Sequence, residues 1–166
     1  MAKEKDNKTN VMRTLEQAGI AYTPHTYPTD GAIDGVSVAQ MLGQDPECVF
    51  KTLVTRGASG AYYVFDIPVA ENLDLKKAAK AVGEKSIAML PQKELLPLTG
   101  YVHGGCSPVG MKKQFPTVFH ETVEIIDTIM VSAGKIGFQV QCDPNDLMAL
   151  LDAATADVTV EERRTP

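Results

Sequence analysis

Tryptophan is absent from this sequence, and aromatic residues make up only 6% of it, so a core here must be filled mainly by Val, Ile, Leu, Ala and Met. Cysteine is scarce as well. Cys48, Cys106 and Cys142 form an odd, widely spaced set without a CxxC pair, which suits neither a disulfide framework nor a zinc site. No apolar run approaches the roughly 20 residues that cross a bilayer. The start, Met1-Ala2-Lys3-Glu4-Lys5-Asp6, is not followed by the apolar stretch of a secretory signal. The expectation is a cytoplasmic protein with no membrane partner. The three histidines, His25, His103 and His120, have no metal spacing, and His120-Glu121-Thr122-Val123-Glu124 lacks the second histidine of HExxH. Neither a P-loop nor a GxGxxG fingerprint occurs, so no metal or cofactor is expected.

Positive charge is also in deficit. The net charge is −5, whereas proteins that grip long nucleic acid are usually basic, because neutralising phosphates supplies much of their affinity. DNA and broad whole-tRNA binding are disfavoured. A small contact with a nucleic-acid end, helped by a local basic patch, remains open.

What is present suits one domain. A chain of 166 residues can bury roughly two-thirds of its unfolded surface in a single core. Residues 1–8 read as a flexible N-terminus, 9–160 as the domain and 161–166 as a frayed tail. Val11, Met12, Leu15 and Ala18 share a helical face, ended by Gly19. Ile20 to Tyr27 reads as a strand that Pro24 confines to an edge or a bulge. Residues 28–36 read as loop. Ser37 with Gln40 resembles a capping box opening a short helix through Leu42. Val49 to Arg56 and Ala61 to Ile67 form a hairpin pattern about Gly57-Ala58-Ser59-Gly60. Leu75, Ala78, Ala79 and Val82 repeat at helical spacing. Ser86 to Met89 suits a short strand and Pro91 to Leu96 a short helix. Thr117 to His120, Glu124 to Ile126, Ile129 to Ser132 and Phe138 to Cys142 are further strand candidates. Asp143-Pro144 opens a last helix whose buried face is assigned to Leu147, Leu150, Leu151 and Ala154. Short spacing between strands favours antiparallel pairing. The expected fold is mixed α/β, with a curved, largely antiparallel sheet or barrel surrounded by helices.

Two segments could carry chemistry. Lys51 lies in Val49-Phe50-Lys51-Thr52-Leu53-Val54, a strand with apolar residues on both faces. A lysine there either reaches an anion in a polar opening or guards a sheet edge and snorkels to water. The second segment is Thr99-Gly100-Tyr101-Val102-His103-Gly104-Gly105-Cys106-Ser107-Pro108-Val109-Gly110, followed by Lys112 and Lys113. Its glycines let a ligand approach main-chain N–H groups that hold phosphate or carbonyl oxygen. Equally, such a run serves as a tight structural loop. Cys106 reads either as a nucleophile, with His103 or His120 as base, or as a small buried apolar residue.

Taken in order, several segments resemble the YbaK/EbsC family, the prolyl-tRNA editing domain family. They are His25-Thr26-Tyr27, Val49-Phe50-Lys51-Thr52-Leu53, Leu73-Asp74-Leu75-Lys76-Lys77-Ala78-Ala79-Lys80, and Thr99-Gly100-Tyr101 running into Gly104-Gly105-Cys106-Ser107-Pro108-Val109-Gly110. Val131-Ser132-Ala133-Gly134-Lys135-Ile136-Gly137 and Asp146-Leu147 complete the set, which extends from about residue 9 to 158. The resemblance implies a YbaK-like curved mixed sheet with surrounding helices. It implies that Lys51 is the family's invariant site lysine and catalytic, and that Tyr27, Gly104, Gly105, Cys106, Ser107, Pro108, Gly110 and Gln139 bind substrate. The position of Gln139 is often acidic in the YbaK branch, and Gln139 cannot ionise. The implied activity is hydrolysis of mischarged Cys-tRNA(Pro), with the substrate's own thiol attacking its carbonyl. The implied partners are the aminoacylated tRNA 3′ end and prolyl-tRNA synthetase. A hydrolase using Cys106 as nucleophile, and a non-catalytic module binding aminoacyl ends or nucleotides, are the alternatives.

Overall fold

The computed structural model describes residues 8–29 and 34–161. Residues 1–7 of the expected flexible start (1–8), the middle of the 28–36 loop and residues 162–166 of the expected frayed tail lie outside the described residues.

Helix α1 (Asn10–Gln17) starts where the Thr9 hydroxyl accepts from the Met12 N–H, and it buries Val11, Met12 and Leu15. Gly19, at φ 73°, turns the chain towards β1 (Tyr22–Thr26). Helix α2 (Gly35–Met41) begins earlier than expected. Its cap is Asp34, whose carboxylate accepts from the Ser37 N–H at 2.8 Å, so Ser37 is capped and is not itself the cap. Strands β2 (Phe50–Gly57) and β3 (Tyr62–Pro68) form the expected hairpin, with Thr52 opposite Asp66 and Val54 opposite Val64.

Asp74 accepts from the N–H groups of Lys76 and Lys77 to open α3 (Leu75–Val82). This helix rests on the core through Ala78 and Ala79, while Leu75, expected on that buried stripe, is 40% exposed at the first position. β4 (Ile87–Met89) follows, and then α4 (Gln92–Thr99) runs three residues past the expected end at Leu96. Pro97 lies in its last turn, where the Thr99 hydroxyl donates to the Leu95 carbonyl at 2.7 Å. After β5 (Thr117–His120), residues Glu121–Ile125 wind as a 3-10 helix, not the strand expected at Glu124–Ile126. That turn leaves Ile125 83% exposed, so no sheet face was available to it.

β6 (Ile129–Ser132), β7 (Phe138–Cys142), α5 (Pro144–Leu151) and β8 (Ala154–Ala156) end the described order. Asp143 caps α5 as its sequence suggests, accepting from the Asn145 N–H. Ala154 does not belong to the buried face of α5, because Asp152 at φ 50° ends the helix and the chain re-enters a sheet as β8.

The strands form two sheets, ordered β1-β7-β6 and β4-β2-β3-β5-β8, with no closed barrel. β5 lies parallel to both β3 and β8, and the other ladders are antiparallel. The mixed, largely antiparallel fold is therefore as expected, divided over two sheets. Among the described residues an isolated parallel bridge, Val49 with Met130, ties them together.

That tie creates a seam along β2. One edge of β2 is held by β3 from Phe50 to Arg56. On the other edge, β4 pairs only with Thr55 to Gly57, the Leu90 N–H reaches the Val54 carbonyl, and β6 touches at Val49. Main-chain groups alternate in direction along an extended strand. The Val49 carbonyl and Gly57 N–H point towards β3, to Val69 and Ala61, while the Val54 carbonyl points away. By the same alternation the N–H and C=O of Thr52 face the seam, where no described strand pairs with them.

Candidate functional site

A cavity of about 690 Å³ opens at this seam. It runs over the free edge of β2, so side chains from both faces of that strand line it: Phe50, Thr52 and Val54 from one, Val49, Lys51 and Leu53 from the other. β6 contributes Ser132 and β7 contributes Gln139, which are in register with each other. Tyr27, just beyond β1, closes part of the wall, its N–H held by the Gly137 carbonyl at 2.9 Å. His103, Gly104 and Cys106 come from the glycine-rich loop. Apolar walls carrying a few fixed polar groups are the usual make-up of a small-molecule site.

Of the residues singled out from sequence, the fold brings Lys51, Tyr27, Gly104, Cys106 and Gln139 to one cavity. Gly105, Ser107, Pro108 and Gly110 are not on its wall, and the loop's internal packing explains their place. The Gly105 N–H donates to the Val102 carbonyl, and a Cβ there would stand 3.0 Å from the Ile136 nitrogen. The buried Ser107 hydroxyl accepts from the Val109 N–H. Gly110 adopts φ 78°, and a Cβ would meet the Tyr101 hydroxyl at 2.8 Å, where that hydroxyl donates to the Val109 carbonyl. These glycines serve the close approach of chain to chain. Lys112, next to the loop, donates to the Pro97 carbonyl.

Lys51 is half-buried and, among the described residues, has no ion-pair partner. Burial lowers the pKa of its ammonium, against an opposing pull from the Glu71 carboxylate. It is therefore a cation held short of solvation, with a cavity beside it. Cys106 is the opposite case. Burial, helped by the charge of Asp66, pushes its thiol up to about 12. Burial thus keeps the thiol protonated at neutral pH, the opposite of the depressed pKa of a nucleophilic cysteine. Of the two histidines offered as its base, one is engaged elsewhere. His120 is buried with its ring nitrogens placed against the Val158 N–H and the Thr159 hydroxyl. His103 reaches the cavity through the same loop. His25 pairs with Gln141 at 2.9 Å.

Sequence reasoning passed over Thr52, Ser132 and the buried Asp66. Thr52 and Ser132 sit within segments already quoted, but their hydroxyls carry no signal of their own until the seam places them on the wall.

Residues 32–150 match the family described as the aminoacyl-tRNA editing domain. A protein of Enterococcus faecalis, named "Putative Cys-tRNA(Pro)/Cys-tRNA(Cys) deacylase EbsC", is 43% identical over 164 residues, covering 98% of this chain and all of that one. A solved structure described as "a putative trans-editing enzyme for prolyl tRNA synthetase" superposes with a TM-score of 0.79 at 26% identity, covering 92% of this chain and 99% of that one. A solved hypothetical protein at 20% identity shares the fold, with a TM-score of 0.83 over 92% of this chain and all of its own.

Proposed function

The chain belongs to the aminoacyl-tRNA editing domain family, and from that membership we propose that it acts in trans on cysteine mischarged onto proline tRNA. The observation that carries this reading is the cavity at the β2 seam, where a half-buried Lys51 shares the wall with a Cys106 thiol that burial keeps protonated. A site with a confined cation and no activated thiol suits an ester whose own acyl group supplies the attacking atom. The names of the relatives support the same substrate class.

In this mechanism the substrate's thiol sulfur forms a bond to its own ester carbonyl carbon. The carbon–oxygen bond to the terminal ribose breaks, and the thiol proton passes to the ribose oxygen. Water then opens the resulting thiolactone and releases cysteine. Lys51 meets the terminal phosphate or the negative charge that grows on the carbonyl oxygen, in a cavity where a charge counts for more than in water. The seam-facing N–H of Thr52 and the main chain at Gly104 are the neighbouring donors for that carbonyl region. A side chain without a placed thiol binds but does not react, and this separates substrates more sharply than the 1–3 kcal/mol or so that one methylene provides.

The net charge of −5 supports modest, salt-sensitive affinity for tRNA alone. Association with prolyl-tRNA synthetase would then supply tRNA selection. The test is a deacylation panel of Cys-, Ala-, Ser- and Pro-charged tRNA(Pro) with the native chain and Lys51→Ala. The expected result is release of cysteine far ahead of the rest, abolished in the variant. Unchanged turnover in Lys51→Ala rejects the site, and equal turnover of all four esters rejects thiol assistance.

A further inference from the structure

Asp66 is a buried acid for which the mechanism above has no use. It has no exposed surface and lies directly opposite Thr52 in the β2–β3 ladder. The Thr52 hydroxyl donates to its Oδ1 at 2.5 Å, and its Oδ2 has no hydrogen-bond partner among the described residues. From the glycine-rich loop, Cys106 is a second titratable group within reach of its charge, while its β5 neighbour Phe119 carries none. Sealing a carboxyl away with one oxygen unpaired is costly, and an apolar side chain would fill the position at less expense. A hydroxyl has a single hydrogen. An ionised Asp66 can only accept, so Thr52 gives that hydrogen to it and offers only lone pairs towards the cavity that it lines.

Resting on the deacylase reading, we infer that Thr52 accepts a hydrogen bond from the α-ammonium of the bound acyl group, with Asp66 as its positioning residue and counter-charge. A ribose hydroxyl would also satisfy the acceptor, but it would leave the carboxyl behind it idle, whereas a cation uses both. Lys51 cannot take this role because its ammonium only donates. Burial pushes Asp66 up to about 8, against the hydrogen bond from Thr52, so the empty site holds it uncharged. An ammonium one hydroxyl away favours the ionised form, and the displaced proton leaves to solvent.

The experiment compares cysteinyl-tRNA(Pro) with the 3-mercaptopropionyl ester of the same tRNA, which keeps the thiol and lacks the amine. The native chain should prefer the cysteinyl ester by about tenfold or more in kcat/KM, mostly through KM, as expected for one charge-assisted hydrogen bond. Thr52→Val and Asp66→Val should bring that preference to within about threefold of unity, while Thr52→Ser should restore it. Asp66→Asn, which keeps an acceptor for the hydroxyl but no charge, should give a value in between. Should Asp66→Val not fold, the nearly isosteric Thr52→Val and the Asp66→Asn protein decide the matter. A preference that persists in Thr52→Val, or an equal loss on both esters, overturns the inference. Equal turnover of the two esters by the native chain also overturns it and leaves the deacylase reading standing. If the native chain hydrolyses neither ester, the deacylase reading itself fails.

Discussion

Replacing Lys51 by Met should make the protein more stable and nearly inactive. Methionine keeps the length of the side chain and removes the charge. In the native chain the ammonium is half-buried without an ion-pair partner among the described residues, and burial disfavours its charged form. Losing that charge relieves desolvation. Because the group is also partly exposed, the gain is discounted to about 0.5–1 kcal/mol. For a chain of this size that raises Tm by about 1–4 °C. Deacylation of Cys-tRNA(Pro) should fall by about 10²–10³, the usual cost of deleting one group that stabilises developing charge. The pH dependence gives an internal check. The native pKa of Lys51 lies below its ordinary 10.5, so the folded chain binds fewer protons there than the unfolded one. Its destabilising effect is therefore full at neutral pH and fades as pH rises through the native pKa towards 10.5. The advantage of the methionine variant should narrow over the same range. Thermal melts between pH 7 and pH 10 (a window of about three units below the ordinary lysine value) and single-turnover deacylation supply the measurements. A lower Tm for the variant at neutral pH, or turnover close to native, would refute the reasoning.

Two other outcomes follow from the same geometry. Cys106→Ala should lower Cys-tRNA(Pro) turnover by less than about fivefold while costing about 1 kcal/mol in a urea melt, since a small buried group is lost and no nucleophile with it. Near-complete inactivation would instead point to covalent catalysis. Asp66 holds its proton up to about pH 8 in the folded chain but only to an ordinary 3.8 when unfolded, so its contribution to stability is full below 3.8 and is lost as pH rises through 8. Asp66→Asn should flatten the decline of Tm across that window, and an identical slope in both proteins would count against a buried, protonated carboxyl.

Much of this fold could be read from local pattern, because its elements obey local rules. Pro24 falls on the edge strand β1, the glycine-bearing turn closes the β2–β3 hairpin, and Asp143-Pro144 opens α5. The misses arise where tertiary contacts decide. Ile125 reads as a strand residue, yet nothing covers it. β8 pairs in parallel with β5, a partner more than thirty positions away that no window of sequence reveals. The candidate site was half legible for the same reason. Lys51 stood out because an ammonium in an apolar strand needs an explanation. Gly105 and Gly110 looked like ligand contacts, but what approaches them closely is Ile136 and Tyr101. Asp66, in a run of buried apolar residues, looked like any strand residue until its register with Thr52 was known.

The parting of the two sheets has a consequence for how acyl-group preference could diversify. The mouth is framed by two clasps, one at Val49 against Met130 and one where the Leu90 amide grips Val54. Its width thus depends on how tightly these clasps pinch a single strand. Bulk added or removed beside either one would widen or narrow the opening, and so retune which amino acid fits, with every residue that meets the substrate left untouched.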